Sequence, residues 1–297
     1  MLSETLPTYL WFEPTNTCNA QCPLCPTGAN QLSRDKAFLD FHLYKRIIDE
    51  VRPRLVYFWN YGEPFLHPDI FAMFRYAADR GAQTHVSTNG FVFYKLENIQ
   101  KLIDSGLHTL LLAIDGIDAE TFNRYRVGVD FDKVLRGLAL LLKQRPAHLE
   151  IVWQFIVMRH NEHQIEEARA LAQQLGIKFA LKAVSLDMLP QQADPDPYLP
   201  QNLHLSRYTW QGDQLVLKGG FHPCYFVNAS LMINADGSVA PCPFDAQGWL
   251  TLGNAHTQTI REIWSSESMQ QLRHRLQQSR QTFSPCKTCS VGSTLFV

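Results

Sequence analysis

Cys18-Asn19-Ala20-Gln21-Cys22-Pro23-Leu24-Cys25 stands directly behind a short apolar, aromatic-rich segment, Tyr9 to Glu13, which has the composition of a β-strand. Three thiols spaced C-x3-C-x2-C on one loop at a strand end can converge on one inorganic centre. A structural zinc site closes with four protein ligands. No histidine lies nearer to this loop than His42, so three thiols would leave one coordination position open. A 4Fe–4S cluster is usually held by four cysteines; three would leave one iron free for a substrate or cofactor. Taken alone, the triplet leaves zinc as the alternative.

Outward from this loop, strand and helix patterns alternate. Further strands are expected over Leu55 to Asn60, Gln83 to Ser87, Thr109 to Ile114, Glu150 to Met158 and Lys178 to Val184. Helical patterns lie between them, each with a stop signal: Phe41 to Val51, Pro68 to Arg80, Leu96 to Ser105, Phe131 to Gln144 and Glu162 to Leu175. Six such units predict an α/β fold, a partial (β/α)6 TIM-like barrel of parallel strands, with functional residues at the carboxyl ends of the strands. Gln154, Arg159, His160 and Lys182 fall on or just after late strands, where substrate contacts are expected; His160 is read as a solvated strand end. Trp11, Trp59, Trp153 and Trp210 are read as core or pocket packing, and His67 as a turn residue between two prolines.

The alternation breaks at Leu189 to Pro200, where four prolines interrupt any periodicity. A barrel over 8–188, a linker over 189–220 and a small module over 221–297 are expected. The module opens with a hairpin pattern, Ser230 to Ala240, turning at Asp236-Gly237, and continues into a helix around Thr259 to Gln278.

Composition narrows the function. With 27 basic against 28 acidic residues and a net charge of -1, the chain lacks the basic excess of a nucleic-acid binder. No run approaches the ~20 apolar residues of a membrane span. Met1 to Pro14 has no basic segment before an apolar one, and Glu4 sits where a signal peptide would be positive, so the chain reads as cytoplasmic. In a reducing compartment its seven clustered cysteines point to metal ligands or redox groups rather than to a disulfide framework.

Cys18-x3-Cys22-x-Leu24-Cys25 after the first strand resembles the signature of the radical S-adenosylmethionine (radical SAM) superfamily. Gly62-Glu63-Pro64 after the second strand resembles that family's G-G-E-P segment, with Tyr61 in place of the first glycine. Ser87-Thr88-Asn89-Gly90 and Ile114-Asp115-Gly116, ending the third and fourth strands, are similar to family members as well. Two other departures are Leu24, where an aromatic residue is common, and Ala113, where many relatives carry serine.

The resemblance implies a 4Fe–4S cluster on Cys18, Cys22 and Cys25, with S-adenosylmethionine chelating the unique iron. It implies Gly62 and Glu63 at the methionine amino group, Ser87 and Asn89 near the ribose, and Arg126 paired with the methionine carboxylate. Asp115 either contacts cofactor or substrate or caps the turn at Gly116. A flavodoxin- or ferredoxin-type electron donor is implied as partner.

Cys224, Cys242, Cys286 and Cys289 would fit a zinc ribbon or an iron–sulfur cluster. Their context, Asn234 to Cys242, Leu252-Gly253-Asn254 and Ile260 to Trp264, resembles the SPASM/twitch extensions of radical SAM enzymes, four cysteines matching the twitch type with one auxiliary 4Fe–4S cluster. The expected function is therefore reductive cleavage of S-adenosylmethionine to a 5'-deoxyadenosyl radical, which abstracts a hydrogen atom from a small polar metabolite, aminocyclitol or sugar-like. All seven cysteines are claimed by three plus four, leaving no thiol to return a hydrogen. Oxidation is then expected, with the auxiliary cluster as electron acceptor and Arg159 or Lys182 assisting proton loss. Two alternatives stand. One is a maturase of a ribosomally made peptide or protein, with a separate carrier because only 17 residues precede Cys18; the other is a zinc-bound scaffold.

Overall fold

The computed structural model describes residues 6–186, 194–218, 224–280, 286 and 289. In chain order the first part contains β1 (Tyr9–Phe12), α1 (Phe41–Val51), β2 (Leu55–Phe58), α2 (Ile70–Ala78), β3 (Gln83–Thr88), α3 (Leu96–Asp104) and β4 (Thr109–Ala113). It continues with α4 (Ala119–Tyr125), α5 (Phe131–Gln144), β5 (Glu150–Val157), α6 (Ile165–Gln174) and β6 (Lys178–Ala183). All six strands are parallel to their neighbours in the order β1-β2-β3-β4-β5-β6. This is the expected partial barrel.

Alternation along the strands divides it into two environments. Leu10, Phe12, Val56, Phe58, Val86, Leu110, Leu112, Ile151, Phe155 and Leu181 are buried in the helix-facing core, each such side chain contributing about 1.5–3 kcal/mol. The intervening residues face the barrel interior, and the register sets Trp11 beside Tyr57, Ser87 beside Leu111, Ala113 beside Gln154, and Ile156 beside Lys182. Helix ends follow local chemistry. Asp40 caps α1 by accepting from the Leu43 N–H at 2.6 Å, and the helix stops at Arg52, left-handed at φ 49°, just before Pro53.

Helix α4 is an addition to the expected set; at seven residues it is too short to display a clear period. Beyond β6, the stretch read as a linker lies partly outside the described residues. Its described part holds an antiparallel hairpin, β7 (Tyr208–Gln211) and β8 (Gln214–Leu217). Then come α7 (Phe226–Ala229), β9 (Ser230–Ile233), β10 (Ser238–Ala240), β11 (Gly253–Asn254), α8 (Ile260–Ser265) and α9 (Glu267–Ser279). The expected helix over 259–278 is two helices, because Ser266 leaves the helical conformation and caps α9 through Met269.

The C-terminal segment adds its strands to the barrel's own sheet. The order is β11-β10-β9-β1-β2-β3-β4-β5-β6, and β9 runs parallel to β1, Tyr9 opposite Ser230 and Phe12 opposite Ile233. No helix among the described residues is long and apolar enough to cross a membrane.

Candidate functional site

The loop after β1 is tied down before and behind its cysteines. Thr15 Oγ1 donates to the Ala37 carbonyl, and Asn16 holds Asp35 and Ala37 through both ends of its amide. Inside the loop, Cys25 N–H donates to the Cys22 carbonyl at 3.1 Å and Ala29 N–H to that of Cys25 at 2.8 Å. Gly28 is pressed against this turn: a Cβ there would sit 2.4 Å from the Cys22 nitrogen. The sequence offered that glycine as a signal only through its place three residues after the last thiol.

Loops from β2 and β3 are laced onto the cysteine loop. Glu63 N–H donates to the Thr17 carbonyl at 2.9 Å, Thr27 Oγ1 donates to the Tyr61 carbonyl, and Asn89 Nδ2 donates to Asn19 Oδ1 at 2.8 Å. Gly62 passes so close to the first loop that a Cβ would lie 1.9 Å from the Thr15 carbonyl oxygen. Together these loops enclose a cavity of about 360 Å³, lined at one end by Cys18, Cys22 and Cys25, within the usual range for ligand pockets.

The candidate cofactor residues divide on inspection. Gly62, Glu63, Ser87, Asn89 and Arg126 all line the cavity. The Ser87 hydroxyl has no hydrogen-bond partner among the described residues, whereas Asn89 is engaged at both ends of its amide, by Asn19 and by the Phe91 N–H. Glu63 is 2% exposed, and its carboxylate accepts from Thr88 Oγ1 at 2.7 Å, Asn89 N–H at 2.9 Å and Phe65 N–H at 3.2 Å. Burial pushes its pKa up, and these donors pull the other way. Its geometry is that of a clamp between the β2 and β3 loops. Glu63→Ala would strand two backbone donors and loosen that corner, so affinity for S-adenosylmethionine should fall about tenfold, read by equilibrium dialysis. Unchanged affinity would leave Glu63 a purely local fold element.

Asp115 does not cap the Gly116 turn. Its fully buried carboxylate accepts from Arg126 Nε at 2.6 Å and from the Ile156 N–H at 2.7 Å. Arg126 Nη1 reaches Cys22 Sγ at 3.7 Å. Burial opposes the guanidinium charge, but Asp115 and the Cys22 thiol outweigh it and hold Arg126 protonated. Of the two groups expected to assist proton loss, Lys182 lines the cavity. Arg159 does not; its guanidinium is held outside by Asp196 Oδ1 at 2.5 Å and by the Asp196 and Leu199 carbonyls. A strand-end position could not reveal that neighbour, which arrives from 37 residues further along. Arg207, missed in the sequence, lines the cavity and donates to the Ala183 carbonyl at 2.7 Å.

The four later cysteines also come together: the half-buried Cys242 thiol is raised by desolvation and further by Cys289, Cys224 and Cys286. Cys286 is pushed up to about 12, again by burial first and by neighbouring thiols second. Phe226, Pro243 and Phe244, flanking Cys224 and Cys242, line the first cavity, so the second thiol group is adjacent to it. Cys18 likewise rises to about 12 through burial, with Glu63 and the other two thiols adding to the shift. Buried thiols that raise one another's pKa suit a centre that binds them as thiolates. Among the described residues no three Cys, His, Asp or Glu side chains converge tightly enough for a single metal ion.

The chain is similar to known proteins. Residues 12–172 match the radical SAM superfamily and residues 219–290 an iron–sulfur cluster-binding (SPASM) domain. The AdoMet-dependent heme synthase of Methanosarcina barkeri is 27% identical over 88% of this chain and 82% of its own. Mycofactocin maturase MftC of Mycobacterium tuberculosis is 25% identical over 89% and 71%. Among solved structures, BtrN in complex with AdoMet and 2-DOIA superposes with a TM-score of 0.60 at 16% identity, covering 97% of this chain and 94% of BtrN. Streptococcus suis SuiB bound to precursor peptide SuiA gives 0.69 at 16%, covering 96% and 70%. The strand-end loops, the three-thiol cavity and the family match together make this chain a member of the radical SAM superfamily, with a SPASM-type domain at its C-terminal end.

Proposed function

We propose that this radical SAM enzyme oxidises a small metabolite, drawing its electrons from a flavodoxin- or ferredoxin-type donor. Cys18, Cys22 and Cys25 hold an open-site 4Fe–4S cluster, and Cys224, Cys242, Cys286 and Cys289 hold one auxiliary 4Fe–4S cluster. When bound, the first cluster and S-adenosylmethionine supply a 5'-deoxyadenosyl radical that removes a substrate hydrogen atom, and the second supplies a one-electron acceptor. The chain's own residues position and shield. Arg126, fixed by Asp115 beside Cys22, presents a guanidinium suited to the methionine carboxylate. The Gly62 backbone offers a carbonyl to the amino group, and Ser87 a free hydroxyl to the ribose. Glu63 and Asn89 keep the three loops in register.

The observation that carries the oxidative reading is the placement of the seven cysteines, which fall into one group of three and one of four. No thiol is left to return a hydrogen atom to the substrate. An aminocyclitol, implied by the resemblance to twitch-type enzymes, would bring an ammonium against Arg126, Lys182 and Arg207; the cavity favours a substrate without one. Similarity to mycofactocin maturase supports the second reading, a maturase of a ribosomally made peptide or protein.

Metabolite and peptide pools, incubated in deuterated water with the reconstituted enzyme, reductant and S-adenosylmethionine, test both. The expected product is a small molecule lighter by two hydrogens and free of carbon-bound deuterium. A modified peptide would select the second reading, and an isomer carrying one carbon-bound deuterium would overturn oxidation.

A further inference from the structure

The cavity is aromatic on its β1–β2 side and cationic on its β5–β6 side. Trp11 stacks on Tyr57 with ring centroids 4.0 Å apart and meets Trp59 edge-on at 5.1 Å, while Phe226 stands 6.0 Å from Trp11. Across from them lie Gln154, Ile156, Lys182 and Arg207. Of these cations Lys182 is the one without a counter-ion beside it among the described residues. Among the described lining residues Glu63 is the one acid, and its oxygens already accept from Thr88, Asn89 and Phe65. Arg126 is neutralised by Asp115. Arg207 donates to the Ala183 carbonyl at 2.7 Å.

Lys182 has no hydrogen bond or ion pair to any described residue, and its ammonium feels both arginines. A partly buried, unpaired cation beside two others is unfavourable until an anion joins it. S-adenosylmethionine, itself a net cation, brings Lys182 no free anion, its carboxylate being assigned to Arg126. Nor does position favour a cofactor role: Arg126 adjoins Cys22, whereas the charges acting on Lys182 are Arg207, Arg126 and Asp115, with no cluster thiol among them.

We infer that the substrate is a carboxylate with a flat apolar body, its carboxylate meeting Lys182 and its body lying against Trp11 and Trp59. This rests on the radical SAM reading above and narrows its substrate class. A lysine so engaged keeps its proton, and the proton released on oxidation leaves by another route. Burial, then Arg207 and Arg126, bring Lys182 down to about 8, with Asp115 acting the other way. Carboxylate affinity is therefore full below about pH 8 and falls above it. A lysine acting as base would instead make turnover rise through that value.

The probes are phenylacetate and phenylacetamide, matched in shape and different in charge, dialysed against anaerobically reconstituted protein with S-adenosylmethionine bound. The wild type should bind phenylacetate about tenfold or more tighter than the amide, since a hydrogen bond to a charged group is among the stronger ones. Lys182→Met should erase the preference and Lys182→Arg should keep it. Equal binding of the two probes, or no binding of either, overturns the inference. So does a Lys182→Met protein that loses S-adenosylmethionine, because the lysine would then serve the cofactor. Cleavage of S-adenosylmethionine, assayed on the same wild-type sample, separates the two levels: its absence overturns the radical SAM activity, and its presence confines any failure to the substrate class.

Discussion

Cys22→Ala should reduce reductive cleavage of S-adenosylmethionine to background. Cys22 is the most enclosed of the three loop thiols, at 5% exposed. Its carbonyl also receives the Cys25 N–H, and its thiol receives Arg126 Nη1 at 3.7 Å. Removing it leaves two thiolates for a cluster that needs three, and takes away one neighbour of the arginine proposed for the methionine carboxylate. The loss therefore falls on both binding and chemistry. Iron at the C-terminal thiols should persist, about half of the wild-type content. The assay is 5'-deoxyadenosine formation under dithionite with iron measured on the same sample. Wild-type rates in the variant would remove the three-thiol loop from the reaction.

Glu13→Ala should cost about 3–5 kcal/mol of folding stability, the usual penalty for leaving a buried partner charge behind. Glu13 is fully buried at the end of β1 and takes both Arg34 Nη atoms at 2.7 Å, while also accepting from the Ala235 N–H. Arg34, on the far side of the cysteine loop, donates its Nε to the Ala246 carbonyl at 2.9 Å. One bidentate pair thus joins the barrel, the cysteine loop and the C-terminal segment. Against a total stability of about 5–15 kcal/mol, the change is a large fraction. Denaturant unfolding would measure it, and Glu13→Leu with Arg34→Met should lose less than the two single changes combined. Strict additivity would show that the two side chains do not act as a pair.

The barrel was legible because its signals are local. Each strand alternates between a helix-facing apolar residue and an interior one, and the predicted bounds of β1 to β6 fall within one or two residues of the observed ones. The cysteines were legible because ligand spacing is itself a sequence property. What the sequence withheld was partnership. Nothing near Asp115 announces that Arg126 will lie on it, or that Glu63 will be engaged by Thr88 and Asn89 from another strand. Arg159 and Lys182 looked equivalent at neighbouring strand ends; one is held outside by Asp196 and the other faces the cavity. Arg207 precedes a hairpin too short and polar to stand out from its surroundings.

The pairing of β1 with β9 also sets an order of events during synthesis. Their partners are about 220 residues apart in the chain, so at ~5–20 residues per second β1 leaves the ribosome some ten to forty seconds before the strand that covers it. Throughout that interval one edge of the strand that launches the cysteine loop has no neighbour, and open strand edges invite pairing with other chains. Glu13, too, waits for Ala235, and Arg34 for Ala246. The first thiol loop is thus made well before the C-terminal residues that complete its anchoring through Glu13 and Arg34.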